Sequence, residues 1–144
     1  MKKYELTAEF IEKWGKKLFR IKALISFGSV EAGELGGYVE KEDNLAQTGN
    51  AWVSGDARVY GDAWVSGDAW VSGDADYLLI GRIGSRFSFT TFFKNKDKGI
   101  TVSCGCFLGT IAEFRAKVTD THGNNKHAKM YNLAADMAEL QILG

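Results

Sequence analysis

The 144-residue chain holds only two cysteines, Cys104 and Cys106, and only two histidines, His122 and His127. A C-x-C pair followed by H-x4-H supplies four soft donors of the kind that close a tetrahedral zinc site. Spacing argues against one shared site. The cysteines end a strand just ahead of a helix opened by Thr110, and His122 ends that helix roughly 18 Å further along its axis. C-x-C is also a less common metal knuckle than C-x2-C, so no metal ligand is assigned. A second chemistry is nucleophilic: Cys106, near the positive end of that helix, would carry a lowered thiol pKa. A nucleophile needs a base, however, and the same spacing puts both histidines at the far end. Cys106 then reads as a small apolar residue at a strand end. No catalytic residue and no cofactor is expected.

Two basic clusters could hold an anion. His122, Asn124, Lys126 and His127 crowd into "THGNNKH", a helix–helix connection in which capping by Asn124 or Asn125 and solvation would account for them equally well. Arg82, Arg86, Lys94, Lys96 and Lys98 interleave with Phe87, Phe89, Phe92 and Phe93, a set that could face nucleic acid or a nucleotide. Alternation along a hairpin would bury those same phenylalanines. Charge is uneven behind a net of zero. Residues 1–43 carry eight basic and eight acidic side chains, residues 44–81 one and five, and residues 82–144 nine and five. An acidic middle and a basic end favour electrostatic partner selection or head-to-tail association, or amount to solvated surface. No apolar run reaches membrane-span length, and "MKKYELTAEF" lacks a signal peptide's apolar stretch. The expectation is a cytoplasmic protein with reduced thiols and no membrane partner.

These groups must be positioned by a chain with an internal repeat. "GNAWVSGDARVYGDAWVSGDAWVSGDA" runs from Gly49 to Ala75 in sixes. Valines fall at Val53, Val59, Val65 and Val71, and alanines at Ala51, Ala57, Ala63, Ala69 and Ala75. Each valine shares a strand face with the alanine two residues earlier. The intervening Gly-Asp and Gly-Asn pairs suit tight corners. Short strands with a corner every six residues describe a β-solenoid. The frame extends backwards with Leu45 and Val39 in the alanine slot and Gln47 in the valine slot.

This pattern resembles the left-handed parallel β-helix of hexapeptide-repeat proteins, in which three hexads make one triangular coil. The resemblance implies a short β-helix of about two coils. At eighteen residues per coil, Trp52 lies under Trp70, Val53 under Val71, Asp56 under Asp74 and Arg58 under Asp76. Valine fills the interior, so the tryptophans project outwards. Trp52, Arg58, Tyr60, Trp64 and Trp70 form the candidate interaction face, buried against a second copy or another protein. Many proteins of this kind are trimeric acyltransferases with a histidine base on or beside the coils. Residues 28–81 contain no histidine, and the repeat is short for a cofactor groove, so that reading ranks last.

From "VEAGELGGYVEKEDNLAQTGNAWV" through "IGSR", "FTTFF", "VSCGCFLGT" and "THGNN", the chain is similar to a family of small phage-encoded and enterobacterial β-helical proteins. The resemblance covers nearly the whole chain. It implies architecture and a phage or prophage origin, and brings no reaction.

The flanks complete the expected layout. Leu18 to Ile25 alternate apolar and basic residues, giving an N-terminal strand pair and cap over residues 1–36, ahead of the repeat at 37–78. Residues 79–144 read as a ββαα module. "FTTFF" and "ITVSCGCF" flank the turn "KNKDKG". Thr110 and Glu113 make a capping box for a helix that Gly123 stops. The second helix, from about Asn125 to Leu140, is apolar on two faces, Ala128, Tyr131, Ala135 and Ala138 on one and Met130, Leu133, Met137 and Leu140 on the other. That pattern implies a sandwiched helix. The expected fold class is therefore mainly β: a left-handed β-helix capped by a ββαα module. The expected function is a non-enzymatic, homo-oligomeric interaction protein of phage or prophage origin, binding and inhibiting a host protein such as an antiviral-defence component. The alternatives are a small-molecule, nucleotide or nucleic-acid binder acting through the basic C-terminal module, and the acyltransferase.

Overall fold

The computed structural model describes residues 2–144; Met1, the first residue of the expected N-terminal cap, lies outside the described residues. The chain divides into two compact units, Met1–Asp74 and Ala75–Gly144.

The first unit opens with an antiparallel hairpin of β1 (Tyr4–Lys13) and β2 (Lys16–Ala23). Its two loop residues, Trp14 and Gly15, are both left-handed at φ 53° and 74°, the geometry that matches strand twist. β3 (Leu35–Val39) runs antiparallel to β2. The repeat then contributes β4 (Trp52–Val53), β5 (Arg58–Val59) and β6 (Trp70–Val71), two residues each. β5 lies parallel to β3, with Tyr38 opposite Arg58 and Val39 opposite Val59. β4 lies parallel to β6, with Trp52 opposite Trp70 and Val53 opposite Val71. A lone parallel bridge joins Leu45 to Val65.

These pairings do not make the expected left-handed parallel β-helix. The strands form open sheets, a mixed four-stranded one in the order β1-β2-β3-β5 and the two-stranded β4-β6. Rung length and register give the reason. Three of the hexads supply two extended residues each and the Trp64–Val65 hexad a single bridge; Gly55, Gly61 and Gly67 turn the chain at φ 60°, 67° and 68°. Rungs this short offer few backbone donors and acceptors to a continuous wall. The register also shifts: the tryptophan rungs pair eighteen residues apart, whereas Tyr38, Val39 and Leu45 pair twenty residues on. Val39 and Leu45 thus share the valine rung, not the alanine slot. Gln47 leaves it altogether, its Oε1 accepting from the backbone N–H groups of Lys3 at 2.7 Å and Tyr4 at 3.2 Å. The apolar alternation itself holds, since the valines of the repeat and Ala51, Ala57, Ala63 and Ala69 are all buried.

The tryptophans do not project outwards as one set. Trp52 is 0% exposed and Trp64 41%, with Trp70 half-buried. Tyr4 and Phe27 meet the Trp52 indole edge-on, at centroid distances of 6.4 and 5.3 Å. β3 crosses it at Gly36, where a Cβ would stand 2.6 Å from Trp52 Cζ2 and 2.5 Å from the Val53 carbonyl oxygen. The glycine in "LGGYV" is thus a close approach of backbone to indole. Lys3 is buried alongside, donating from Nζ to the carbonyls of Ala51 at 2.8 Å and Gly49 at 3.3 Å. Burial lowers its pKa to about 8. Arg58 is bound to Asp74: its backbone N–H donates to Asp74 Oδ1 at 2.8 Å and its Nε to Oδ2 at 2.9 Å. The hairpin tip folds over this region, with Trp14 packed on Tyr60 at 5.1 Å and 5.4 Å from the Arg58 guanidinium.

The second unit is an antiparallel meander of β7 (Tyr77–Ile83), β8 (Ser88–Lys94), β9 (Ile100–Cys104) and β10 (Phe107–Thr110). α1 (Ile111–His122) and α2 (Lys126–Ile142) follow. The module is therefore ββββαα, because Cys104 and Phe107 pair across a two-residue turn that folds "SCGCFLGT" into two strands. The capping box at Thr110 and Glu113 forms, Gly123 ends α1, and Asn125 caps α2 by accepting from Ala128 N–H. Phe114 packs edge-on between Phe92 and Tyr131, at centroid distances of 5.7 and 5.6 Å. Ala128, Ala134, Ala135 and Ala138 bring α2 close into the same core. Arg115 ties the helices together, donating to Asn132 Oδ1 at 3.0 Å, Asp136 at 2.7 Å and Glu139. The second apolar face of α2, expected to be covered, is open: Met130, Leu133, Met137 and Leu140 are exposed. Among the described residues no helix is long and apolar enough to cross a membrane.

Candidate functional site

An antiparallel meander places alternate turns at the same end of the sheet. The β7–β8 turn, closed by Phe87 N–H donating to Gly84 O at 3.1 Å, therefore shares an end with the Gly105–Cys106 turn between β9 and β10. Gly105 has φ 58°, which suits the first loop position of a tight hairpin. β10 carries the chain four residues away from the cysteines, about 13 Å. α1 then returns it over about 18 Å. His122 comes back beside the thiols. β10 thus cancels the separation of cysteines from histidines expected from helix length alone, and Cys106 lies one strand away from the N-terminus of α1.

A cleft of about 200 Å³ results, lined by Ser85, Arg86, Ser88, Cys104, Gly105, Cys106, Phe107, Lys117, Thr121, His122 and Tyr131. A narrower lobe of about 100 Å³ shares six of these residues and reaches Phe114 and Val118 in the core. Cys104 is half-buried and Cys106 exposed. The Cys104 sulfur accepts from the buried Thr90 hydroxyl at 3.2 Å. Tyr131 backs the lining. Burial, and then the Cys104 sulfur beside it, push its phenol up to about 12, against the opposing pull of Arg86. Gly84 makes this possible, since a Cβ there would fall 1.8 Å from the phenol oxygen. The His122 ring stacks on Tyr131 at 5.9 Å and lies 5.5 Å from His127. His127 Nδ1 is buried and, among the described residues, has no hydrogen-bond partner.

The cleft's charge has one sign. Arg86 and Lys117 bring basic side chains, His122 stands beside them, and no Asp or Glu appears in the lining. Walls of Phe107 and Tyr131 lower the local dielectric and sharpen that field. Three elements each bring a polar edge: the β7–β8 turn with Ser85, Arg86 and Ser88, the β9–β10 turn with both thiols, and α1 with Lys117, Thr121 and His122. Among the described residues no three His, Cys, Asp or Glu side chains converge as a metal-holding group.

Of the anion candidates read from the sequence, only Arg86 and His122 reach the cleft. Lys96 and Lys98 sit in the β8–β9 turn, at the opposite end of the sheet. Lys94 pairs with Asp76 at 3.6 Å, and Arg82 lies over Phe89 at 5.7 Å. Asn124 is exposed in the α1–α2 connection, Lys126 is exposed at the start of α2, and His127 is half-buried beside His122. Phe92 and Phe93 are fully buried, so the charged aromatic sheet does not form. Lys117, Thr121 and Tyr131 were missed because they line the cleft only after α1 has doubled back. The available signal was glycine inside "CGC", a two-residue hairpin loop in its own right. The stretches "IGSR", "SCGCF" and "THG" thus meet at one place. No protein-family model matches the chain, and no curated protein matches it in sequence.

Proposed function

We propose that the second unit binds a small anion of the phosphate class in this cleft. The observation that carries the reading is that Arg86, Lys117 and His122 converge from two separate elements on a lining without a carboxylate. Arginine meets an oxyanion with a planar fork of donors and lysine with a point charge. The hydroxyls of Ser85, Ser88 and Thr121 add neutral donors that orient the ligand. Isothermal titration with inorganic phosphate tests this in wild type and in the Arg86→Gln, Lys117→Gln double variant. Saturable binding that weakens with salt and vanishes in the double variant is expected. Binding that survives both substitutions unchanged would refute it.

A second reading, self-association, is favoured by α2. Met130, Leu133, Met137 and Leu140 recur at spacings of three, four and three, the seam of a helix pair, and Leu133 and Leu140 are 63% and 76% exposed. The largest apolar patch on a typical monomer is ~300–600 Å² and is often functional. A second copy offers the same stripe in return. Sedimentation should give a dimer that the Leu133→Asp, Leu140→Asp variant dissociates; a wild-type monomer at high concentration excludes this reading.

A further inference from the structure

We propose that the bound anion is the phosphate of a nucleotide and that Phe87 carries its base, an inference that rests on the anion reading above. The cleft and its lobe, about 200 and 100 Å³, fall below the ~300–1,000 Å³ of pockets that enclose drug-sized ligands. They take a phosphate and leave the rest of its ester at the rim. Phe87 lies in the same turn, between Arg86 and Ser88, which both line the cleft. Adjacent Cα atoms are about 3.8 Å apart, so Phe87 springs from the backbone next to the residue that brings the guanidinium.

Phe87 is also unlike the other phenylalanines of its hairpin. Phe92 and Phe93 are fully buried, whereas Phe87 is 66% exposed. Phe89 lies under Arg82, but the Phe87 ring meets no other aromatic ring among the described residues. Its backbone is left-handed at φ 50°, a conformation uncommon for a bulky residue. Trp14 shares that conformation in the other unit, yet its ring packs on Tyr60. A phenylalanine held exposed in an unfavourable conformation, beside a carboxylate-free cationic cleft, offers a π-face where a phosphate ester presents its other end. Bases stack on such faces without base-specific contacts. The ligand class is therefore a planar heterocycle joined through a sugar to a phosphate. A free mononucleotide and the phosphorylated end of a strand share that chemistry.

The test is calorimetric titration of the full chain with inorganic phosphate, adenosine, adenosine monophosphate and a 5′-phosphorylated oligonucleotide. The proteins are wild type, Phe87→Gly, which suits the left-handed backbone and keeps the turn, and Phe87→Tyr. Wild type should bind the monophosphate at least tenfold more tightly than phosphate, in line with the value of one stacked base. Phe87→Gly should reduce that affinity to the level of phosphate and leave phosphate itself unmoved, and Phe87→Tyr should restore it. Stronger binding of the oligonucleotide than of the monophosphate assigns the ligand to a strand end. Equal affinity for phosphate and monophosphate in wild type overturns the base assignment alone, as does a Phe87→Gly variant that binds the monophosphate normally. Loss of phosphate binding in wild type overturns the anion reading beneath it.

Discussion

Three tryptophans occupy the same slot of one repeat, and the structure predicts that they are worth very different amounts. Trp52 is 0% exposed, caught between Tyr4 and Phe27 and crossed by the backbone at Gly36. Removing it leaves a cavity the size of an indole beside a backbone that cannot collapse without moving β3. Core Trp→Ala changes cost about 3–5 kcal/mol, a large part of the ~5–15 kcal/mol that holds a domain together. Trp64, at 41% exposed, should cost about 1 kcal/mol or less on truncation, and half-buried Trp70 an intermediate amount. A conservative arm sharpens the test. Trp52 Nε1 is buried and unpaired among the described residues, so Trp52→Phe drops an unsatisfied donor, offsetting about 1 kcal/mol of the lost packing. Urea unfolding followed by far-UV circular dichroism gives all four values. Similar losses at Trp52 and Trp64 would mean that the hexads are equivalent and that Tyr4, Phe27 and β3 do not cover one of them.

Other consequences follow from burial and close approach. The lowered pKa of Lys3, about 8 against an ordinary 10.5, means the unfolded chain holds its proton more tightly. Stability should therefore rise between about pH 8 and 10.5, by roughly 2 kcal/mol from pH 7 to 10. That rise should disappear in Lys3→Met; an identical profile in both proteins contradicts the burial of this ammonium. Gly84→Ala combines φ 85° with a Cβ placed 1.8 Å from the Tyr131 oxygen, and should cost about 2–4 kcal/mol; a melting temperature within a degree of wild type would show that Tyr131 does not abut the turn. The exposed Cys106 thiol should alkylate well ahead of Cys104, which is half-buried and engaged by Thr90. Mass spectrometry after brief iodoacetamide treatment reads the order, and equal rates would place both thiols on the surface.

How much of this was legible in the sequence depends on the range of the interactions. Local signals read well: the Thr110–Glu113 box, Gly123 after α1, and the apolar alternation of alanine and valine all depend on neighbours within a few residues. The β-helix did not follow from that alternation, because a hexad repeat states which side chains face inwards without stating which backbone each rung pairs with. β3 took part of that pairing, lying between β2 and β5. Trp52 looked like an outward residue for the same reason: Tyr4 and Phe27 reach it from far along the chain. The cleft was hidden by one omitted strand. Treating "SCGCF" as a strand end rather than a hairpin placed His122 on the wrong side of the module, and with it Lys117, Thr121 and Tyr131.

The most direct test of the central claim is a ¹⁵N chemical-shift titration of the full chain with inorganic phosphate. Saturable shifts are expected at the amides of Ser85, Arg86, Gly105, Cys106, Thr121 and His122 alone, on turns and a helix end far apart in sequence. Shifts centred instead on Lys96 and Lys98 in the opposite turn, or none at all, would contradict that claim.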